Sequence, residues 1–195
     1  EIRMGVYFNP DSDSFKKDSH SRIYIDKTGL LKYLNECLST AECCISVSHA
    51  RRFGKSQAAG MIEAYYSLGS DSKELFSGYE ISQTPDFEKH LNKYNVIHMD
   101  VSSVADFYGY RIVEEIIHRW VKDFRNVYPD ELDYSKSINE LIFDIYKISG
   151  KPFVIILDEW DCIVRNYAND PKLVHNYLLF LHALFKSEES KKYLA

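Results

Sequence analysis

Hydrophobic positions along this chain fall into two kinds of pattern that alternate. The run "CCISVS" at 43–48 is short and apolar on both faces, which predicts a strand buried in a parallel sheet. "NVIHMD" at 95–100 predicts a strand that ends in polar residues, and "FVIILD" at 153–158 a strand of pure apolar residues capped by acids. Ile23 to Ile25 predict a further short strand. Helical spacing fills the intervals. Leu30, Leu34, Cys37 and Leu38 form one such set, and Ala58, Met61, Ile62, Tyr65 and Tyr66 a second, with a single buried face. Val113, Ile116, Ile117, Trp120, Val121 and Phe124 define a long amphipathic helix. Ile138, Leu141, Ile142, Ile145 and Tyr146 define another, broken by Gly150, Lys151 and Pro152. Val174, Tyr177, Leu178, Leu181, Leu184 and Phe185 make the last.

Two stretches carry neither pattern over any length. The polar segment "NPDSDSFKKDSHSR" at 9–22 reads as a surface loop, and 71–94 as short helix and loop. Strands that alternate with helices predict an α/β architecture with a mainly parallel sheet. Ligands of such sheets bind outside the carboxyl ends of the strands.

Composition narrows the class. A chain of 195 residues, 45% hydrophobic and 27% charged, has the make-up of one soluble globular domain. Its net charge of -5 argues against a nucleic-acid binder as a whole, while leaving local basic patches open. No apolar run approaches the roughly 18 residues a membrane span needs, and the first residues are not a signal peptide. A start at Glu1 in place of Met points to trimming. Cys37, Cys43, Cys44 and Cys162 form neither C-x-x-C nor a zinc-finger cluster, so reduced thiols in a cytoplasmic protein are expected.

The candidate chemistry sits at two strand ends. "SHARRFGKSQAAGMIEAYY" at 48–66 holds Gly54-Lys55-Ser56 between a predicted strand and a predicted helix. That is the setting of a phosphate-binding loop. Gly54 would let the backbone approach a phosphate, Lys55 would reach the β- and γ-phosphates, and the Ser56 hydroxyl would coordinate Mg²⁺. The helix start adds free N–H groups and a positive dipole end. Alone, Gly-Lys-Ser is weak, since average composition yields it by chance in roughly one protein of this size in ten. A second motif strengthens it. "FVIILDEWD" has the form of a Walker B strand, in which Asp158 would hold Mg²⁺ through its water shell and Glu159 would orient the attacking water. An acid directly after the Mg²⁺-binding Asp favours hydrolysis over small-molecule kinase chemistry.

The first glycine of G-x-x-x-x-G-K-[ST] is absent, with His49 in its place. The substitution costs on the order of 1 kcal/mol if that position needs a positive φ. Arg51 and Arg52 add two positive charges beside the phosphates, or else form a solvated pair. Asp100 could assist water positioning or simply cap a helix. Arg111, Arg119 and Arg165 are arginine-finger candidates whose plainer reading is a surface ion pair.

"ARRFGKS", preceded by an apolar strand and by "IYIDKTGLL", resembles the bacterial AAA-ATPase-like family. Its members carry a Y-V-D-K-T segment, a strand, then R-P-R-R-F-G-K-S. The likeness runs on through "ELFSG" at 74–78 to "D-E-W-D" at 158–161 and so covers nearly the whole chain. Family members ordinarily lack the first loop glycine; His49-Ala50 in place of Arg-Pro is the departure. The resemblance implies a three-layer P-loop NTPase core, AAA/RecA-like and of the additional-strand class. It makes residues 1–22 an N-terminal extension and 23–195 a partial NTPase domain that stops before the sensor strand. It makes Lys55 and Glu159 catalytic, and Ser56 and Asp158 the Mg²⁺ ligands. The nucleotide-binding segment is expected to comprise Arg51, Arg52, Phe53, Gly54, Lys55, Ser56 and Gln57. Asp26 and Lys27 match the D-K-T segment, near the nucleotide by analogy only.

The expected function is Mg²⁺-dependent ATP binding and hydrolysis that drives or regulates an attached effector. By resemblance that effector is a C-terminal PD-(D/E)XK nuclease-like domain, and a homo-oligomer is compatible. Two alternatives stay open: a nucleotide-sensing scaffold that turns over poorly, and a nucleic-acid accessory module in which Arg51 and Arg52 meet DNA. No membrane role is expected.

Overall fold

The computed structural model describes residues 4–47 and 54–195, with residues 107–109 by backbone only. Two strands, β1 (Asn95–Asp100) and β2 (Phe153–Asp158), run parallel in register, so that Asp100 lies opposite Asp158 at their carboxyl ends. Side chains alternate across this ribbon and both faces are covered, which is why β2 is continuously apolar up to Asp158 and β1 is broken only by His98 between its polar ends. Val96, with Val154 and Ile156, packs into one core. Ile97, Met99 and Phe153, with Ile155 and Leu157, pack into the other.

The N-terminal helices build the first core. α1 (Asp13–Ser19), α2 (Gly29–Cys37), α3 (Lys55–Tyr66), α4 (Lys73–Phe76) and α5 (Phe87–His90) bring Phe15, Leu31, Met61, Tyr65, Phe76 and Phe87 together. α3 is the central member. Ala59, Gly60, Met61, Glu63, Ala64, Tyr65 and Tyr66 are all buried, so it is enclosed on more than the single face its spacing predicts. Burial of Glu63 is made tolerable by a hydrogen bond between its carboxyl and Nδ1 of His98 in β1, which ties the helix to the sheet.

The second core belongs to the later helices. α6 (Val101–Tyr108) follows β1 directly, and α7 (Ile112–Val127) buries Ile116, Trp120 and Phe124 at i, i+4 and i+8. α8 (Ile138–Ser149) opens on a capping box between Ser137 and Glu140 and ends at Gly150, whose φ of 64° suits glycine. After β2 come α9 (Cys162–Asn166), α10 (Pro171–Lys186) and α11 (Ser190–Tyr193). α10 is rotated from its predicted face: Leu173, Tyr177, Phe180 and Leu184 are buried, while Leu178 is exposed. Among the described residues no helix is long and apolar enough to cross a membrane.

The architecture is therefore mixed α/β with a small parallel sheet and helices against both faces. Three expectations need correction. Residues 43–47 form no strand; Ile45 and Val47 are exposed, and Cys44 lies against the carbonyl of Phe185 near the end of α10. Ile23 and Ile25 are exposed while Tyr24 packs on Phe15 and Tyr79, so this triplet has strand-like alternation without a ladder. Both failures have one cause. A parallel strand exists only where a neighbour satisfies its N–H and C=O groups, and neither segment has one among the described residues. The polar stretch 9–22 is not simply a loop, since α1 forms within it and buries Phe15 completely.

Candidate functional site

The site begins with the backbone around Gly54. Its φ of 75° and ψ of 30° place it in the left-handed region just before α3, where glycine carries no steric penalty. A Cβ at this position would also collide with the amine of Lys27 and stand 3.1 Å from Gln57 Oε1. Gly54 offers no capping side chain, and the first turn of α3 contains no acid. The helix therefore presents its opening N–H groups and the positive end of its dipole without a local anion to answer them.

Opposite this helix start, β2 delivers its acids. Asp158 Oδ2 accepts a hydrogen bond from Ser56 Oγ at 2.6 Å. The next residue, Glu159, has a φ of 50°, one of the few non-glycine positive values among the described residues. Backbone in this region costs on the order of 1–3 kcal/mol and persists where its surroundings hold it. Here the Glu159 N–H donates to Asp158 Oδ1 at 2.9 Å, and its carbonyl accepts from Cys162 N–H at 3.0 Å. The turn aims the side chain back toward α3, so that Glu159 Oε1 lies 3.4 Å from Lys55 Nζ. Glu159 Oε2 takes a second cation, Arg165 of α9, at 2.6 Å. Arg165 is itself held by Asp161 at 2.9 Å.

Partial burial on its own would lift the Glu159 carboxyl. The charge of Lys55 and the hydrogen bonds from Arg165 and Lys55 outweigh it and hold the group below the usual glutamate range. Burial pushes the neighbouring Cys162 thiol up to about 11, so it is protonated at neutral pH and no nucleophile.

These groups surround a cavity of about 540 Å³, with Lys55, Ser56 and Gln57 on one side and Glu159, Cys162 and Arg165 on the other. Ser102, Asp106 and Asn166 also line it, and sequence reasoning did not single them out because nothing local marks them. Of the expected site residues, Gly54, Lys55, Ser56, Gln57 and Glu159 line this cavity, and Asp158 reaches it through Ser56. Arg51, Arg52 and Phe53, with His49 and Ala50, lie outside the described residues. Asp100 caps α6 by accepting from the Ser102 N–H and hydroxyl. Arg111 and Arg119 pair with Glu114 and Glu115 along α7, whereas Arg165 is the finger candidate that the fold brings to Glu159.

The donor set suits Mg²⁺. Among the described residues no three His, Cys, Asp or Glu side chains gather as a metal cage. Mg²⁺ rarely needs one; it keeps several waters and takes one or two protein oxygens plus substrate phosphates. A hydroxyl and a carboxylate already in contact, Ser56 and Asp158, are hard oxygen donors of that kind.

In this mixed α/β protein a helix opened by glycine and lysine faces an acid-ended strand across one cavity. The family model described as Predicted AAA-ATPase matches residues 13–194, and the chain belongs to that predicted AAA-ATPase family. No curated protein and no solved structure matches it.

Proposed function

We propose that this domain binds ATP with Mg²⁺ and hydrolyses it, and that turnover drives or regulates an attached effector. The observation that carries the reading is the contact of Ser56 with Asp158. Two motifs 102 residues apart in sequence meet at 2.6 Å, and Lys55, just before Ser56, forms a second pair at 3.4 Å with Glu159, just after Asp158. Such a double meeting is what phosphoryl chemistry requires of a helix start and an acidic strand end.

The roles follow from charge and position. Lys55 would leave Glu159 for the phosphates, where it neutralises charge that grows toward the transition state. Ser56 and Asp158 would hold Mg²⁺, which when bound supplies further neutralisation of the phosphate oxygens. Glu159, ionised and aimed into the cavity, would orient a water and accept its proton. Loss of the Lys55 contact on nucleotide binding frees one Glu159 oxygen for that task, while Arg165 keeps the other fixed.

Lys55→Ala is expected to abolish binding of ATP in the presence of Mg²⁺. Glu159→Gln should leave affinity near wild type and reduce turnover by two orders of magnitude or more, on the order of 3 kcal/mol in the barrier. Calorimetric binding and phosphate release measure the two effects separately. Absence of ATP binding by the full-length protein at millimolar concentration would overturn the proposal.

A second reading, a sensor that binds without turning over, draws on the same carboxylate. Both Glu159 oxygens are engaged by cations, so a base that stays paired would bind nucleotide and not hydrolyse it. Wild-type binding without phosphate release would select this reading. The effector in either case is proposed to be a nuclease-like domain C-terminal to this segment, following the resemblance, and an oligomer is proposed on the same ground.

A further inference from the structure

Two polar contacts join α3 to the sheet, one toward each end of the helix. Ser56 Oγ donates to Asp158 Oδ2 at the carboxyl end of β2. Seven residues further on, the Glu63 carboxyl meets Nδ1 of His98 in the neighbouring strand β1. Residues seven apart on an α-helix lie about 20° apart around its axis and about 10.5 Å apart along it. Ser56 and Glu63 therefore share one stripe, with Ala59 and Gly60 between them at i+3 and i+4. His98 stands opposite Ile156 in the strand register and Asp100 opposite Asp158, so the two contacts fall on different strands, two register positions apart.

The Glu63 contact has a strong hold on the helix. Glu63 is buried, and a carboxyl that lost its partner there would carry the full cost of its desolvation. Between the two contacts the stripe offers only a methyl group and a hydrogen, those of Ala59 and Gly60, and so no bulky ridge to set the rotation of α3 against the strands. The bond from Glu63 to His98 supplies what that ridge would have supplied.

A turn of α3 about its own axis would not affect the site evenly. The opening N–H groups and the helix dipole act along the axis and stay directed at the cavity. The Lys55 ammonium sits on a flexible four-carbon stem and can follow an anion. The Ser56 hydroxyl sits one carbon from the backbone and cannot. At a group that must meet a fixed partner, a misplacement of about 1 Å can cost on the order of 100-fold in rate.

We propose that Glu63 and His98 are positioning residues for the metal half of the site: their bond holds α3 at the rotation that keeps Ser56 on Asp158. The inference deepens the Mg²⁺–ATP reading and rests on it. It divides the site into phosphate binding by Lys55 and the helix end, which tolerates rotation, and metal binding by Ser56 and Asp158, which does not.

Calorimetry of ATP binding in Mg²⁺ and in EDTA reads the two halves separately. The proteins compared are the full-length wild type, Ser56→Ala, Glu63→Gln and the double variant Glu63→Met with His98→Leu. The double variant replaces both partners by apolar side chains, so neither is left buried and unpaired, and such a change can be nearly neutral for stability. In the wild type Mg²⁺ is expected to tighten ATP binding by about tenfold, 1.4 kcal/mol. The double variant should lose most of that gain, as Ser56→Ala does, while its affinity in EDTA stays within about twofold of wild type. Glu63→Gln, whose amide can still bond to His98, should keep most of the gain. A double variant with the full Mg²⁺ gain would overturn the inference and leave the ATP reading standing. Equal losses in Mg²⁺ and in EDTA, with a lower melting temperature, would overturn it too, by making the pair a support of the fold at large. A wild type that binds ATP no better in Mg²⁺ than in EDTA would overturn the Mg²⁺ reading and the inference with it.

Discussion

Two helices of twelve residues, α3 and α8, begin in opposite ways. At α8 the chain closes the helix on itself. Ser137 Oγ accepts from the Glu140 N–H, and the Glu140 carboxylate accepts from the Ser137 N–H at 2.9 Å and its hydroxyl at 2.7 Å. An acid in the first turn answers the dipole. At α3 the corresponding positions are Gly54 and Gln57, and the first turn starts with lysine. Among the described residues no side-chain cap satisfies this end, although α3 is the more deeply buried helix and packs on both strands. The chain caps α10 in the same way with Asp170, whereas α2 and α7 begin without a side-chain cap. Withholding one at α3 leaves donors and positive charge directed at the cavity.

The sharpest way to break this comparison is to write the α8 box onto α3. Gly54→Ser with Gln57→Glu reproduces the Ser-x-x-Glu spacing of Ser137 and Glu140. In a free helix this would stabilise. Here the new Cβ meets Lys27 and sits at a φ of 75°, and the new carboxylate competes for the anion site. The double variant is expected to lose ATP binding by on the order of 100-fold or more, about 2.7 kcal/mol. It should gain no stability, because left-handed backbone at a non-glycine residue offsets the cap. Calorimetry and thermal melting read the two outcomes. A variant that binds normally and melts higher would show that the open helix end has no part in binding.

How much of this was legible in the sequence depends on whether the cause was local. Ile116, Trp120 and Phe124 state their helix by spacing alone, and the Ser137–Glu140 box and Gly150 mark both ends of α8 in the one-letter code. The runs of β1 and β2 are apolar because both sheet faces are covered, and that too is read along one strand. Gly54-Lys55-Ser56 and Asp158-Glu159 were visible as motifs, though only the fold brings Ser56 to Asp158. Where the pattern misled, the missing information lay elsewhere in the chain. Residues 43–47 have strand-like composition, but whether a ladder partner exists is no property of those five residues. The amine of Lys27 against Gly54, and the grip of Arg165 on Glu159, join segments with no shared periodicity and leave no mark in either.

The reverse experiment opens α8. Ser137→Ala removes the hydroxyl that caps the Glu140 N–H and should cost about 1 kcal/mol of stability. For a domain of this size that lowers the melting temperature by roughly 2–4 °C. ATP affinity should stay within error of wild type, since α8 contributes nothing to the cavity lining. If the loss of this cap weakened ATP binding as well, the division between a helix that serves the fold and one that serves the site would fail.

The smallest effect is a matter of pH and tests whether the α8 cap is electrostatic as well as geometric. Hydrogen bonds from the Ser137 side chain and backbone hold the Glu140 carboxyl below the usual glutamate range. A carboxylate with a depressed native value contributes stability that is fully present above its unfolded value, about 4.3. That stability is lost as pH falls through the native value, because the unfolded chain takes up the proton first. The difference in melting temperature between wild type and Ser137→Ala should therefore be constant from neutral pH down to about pH 5 and shrink below about pH 4. It should not vanish, since the Ser137 oxygen still accepts from the Glu140 N–H when the carboxyl is protonated. A difference that stayed flat to pH 3 would assign the cap to geometry alone. The lack of an acid in the first turn of α3 would then no longer mark that helix end as one kept open for an anion.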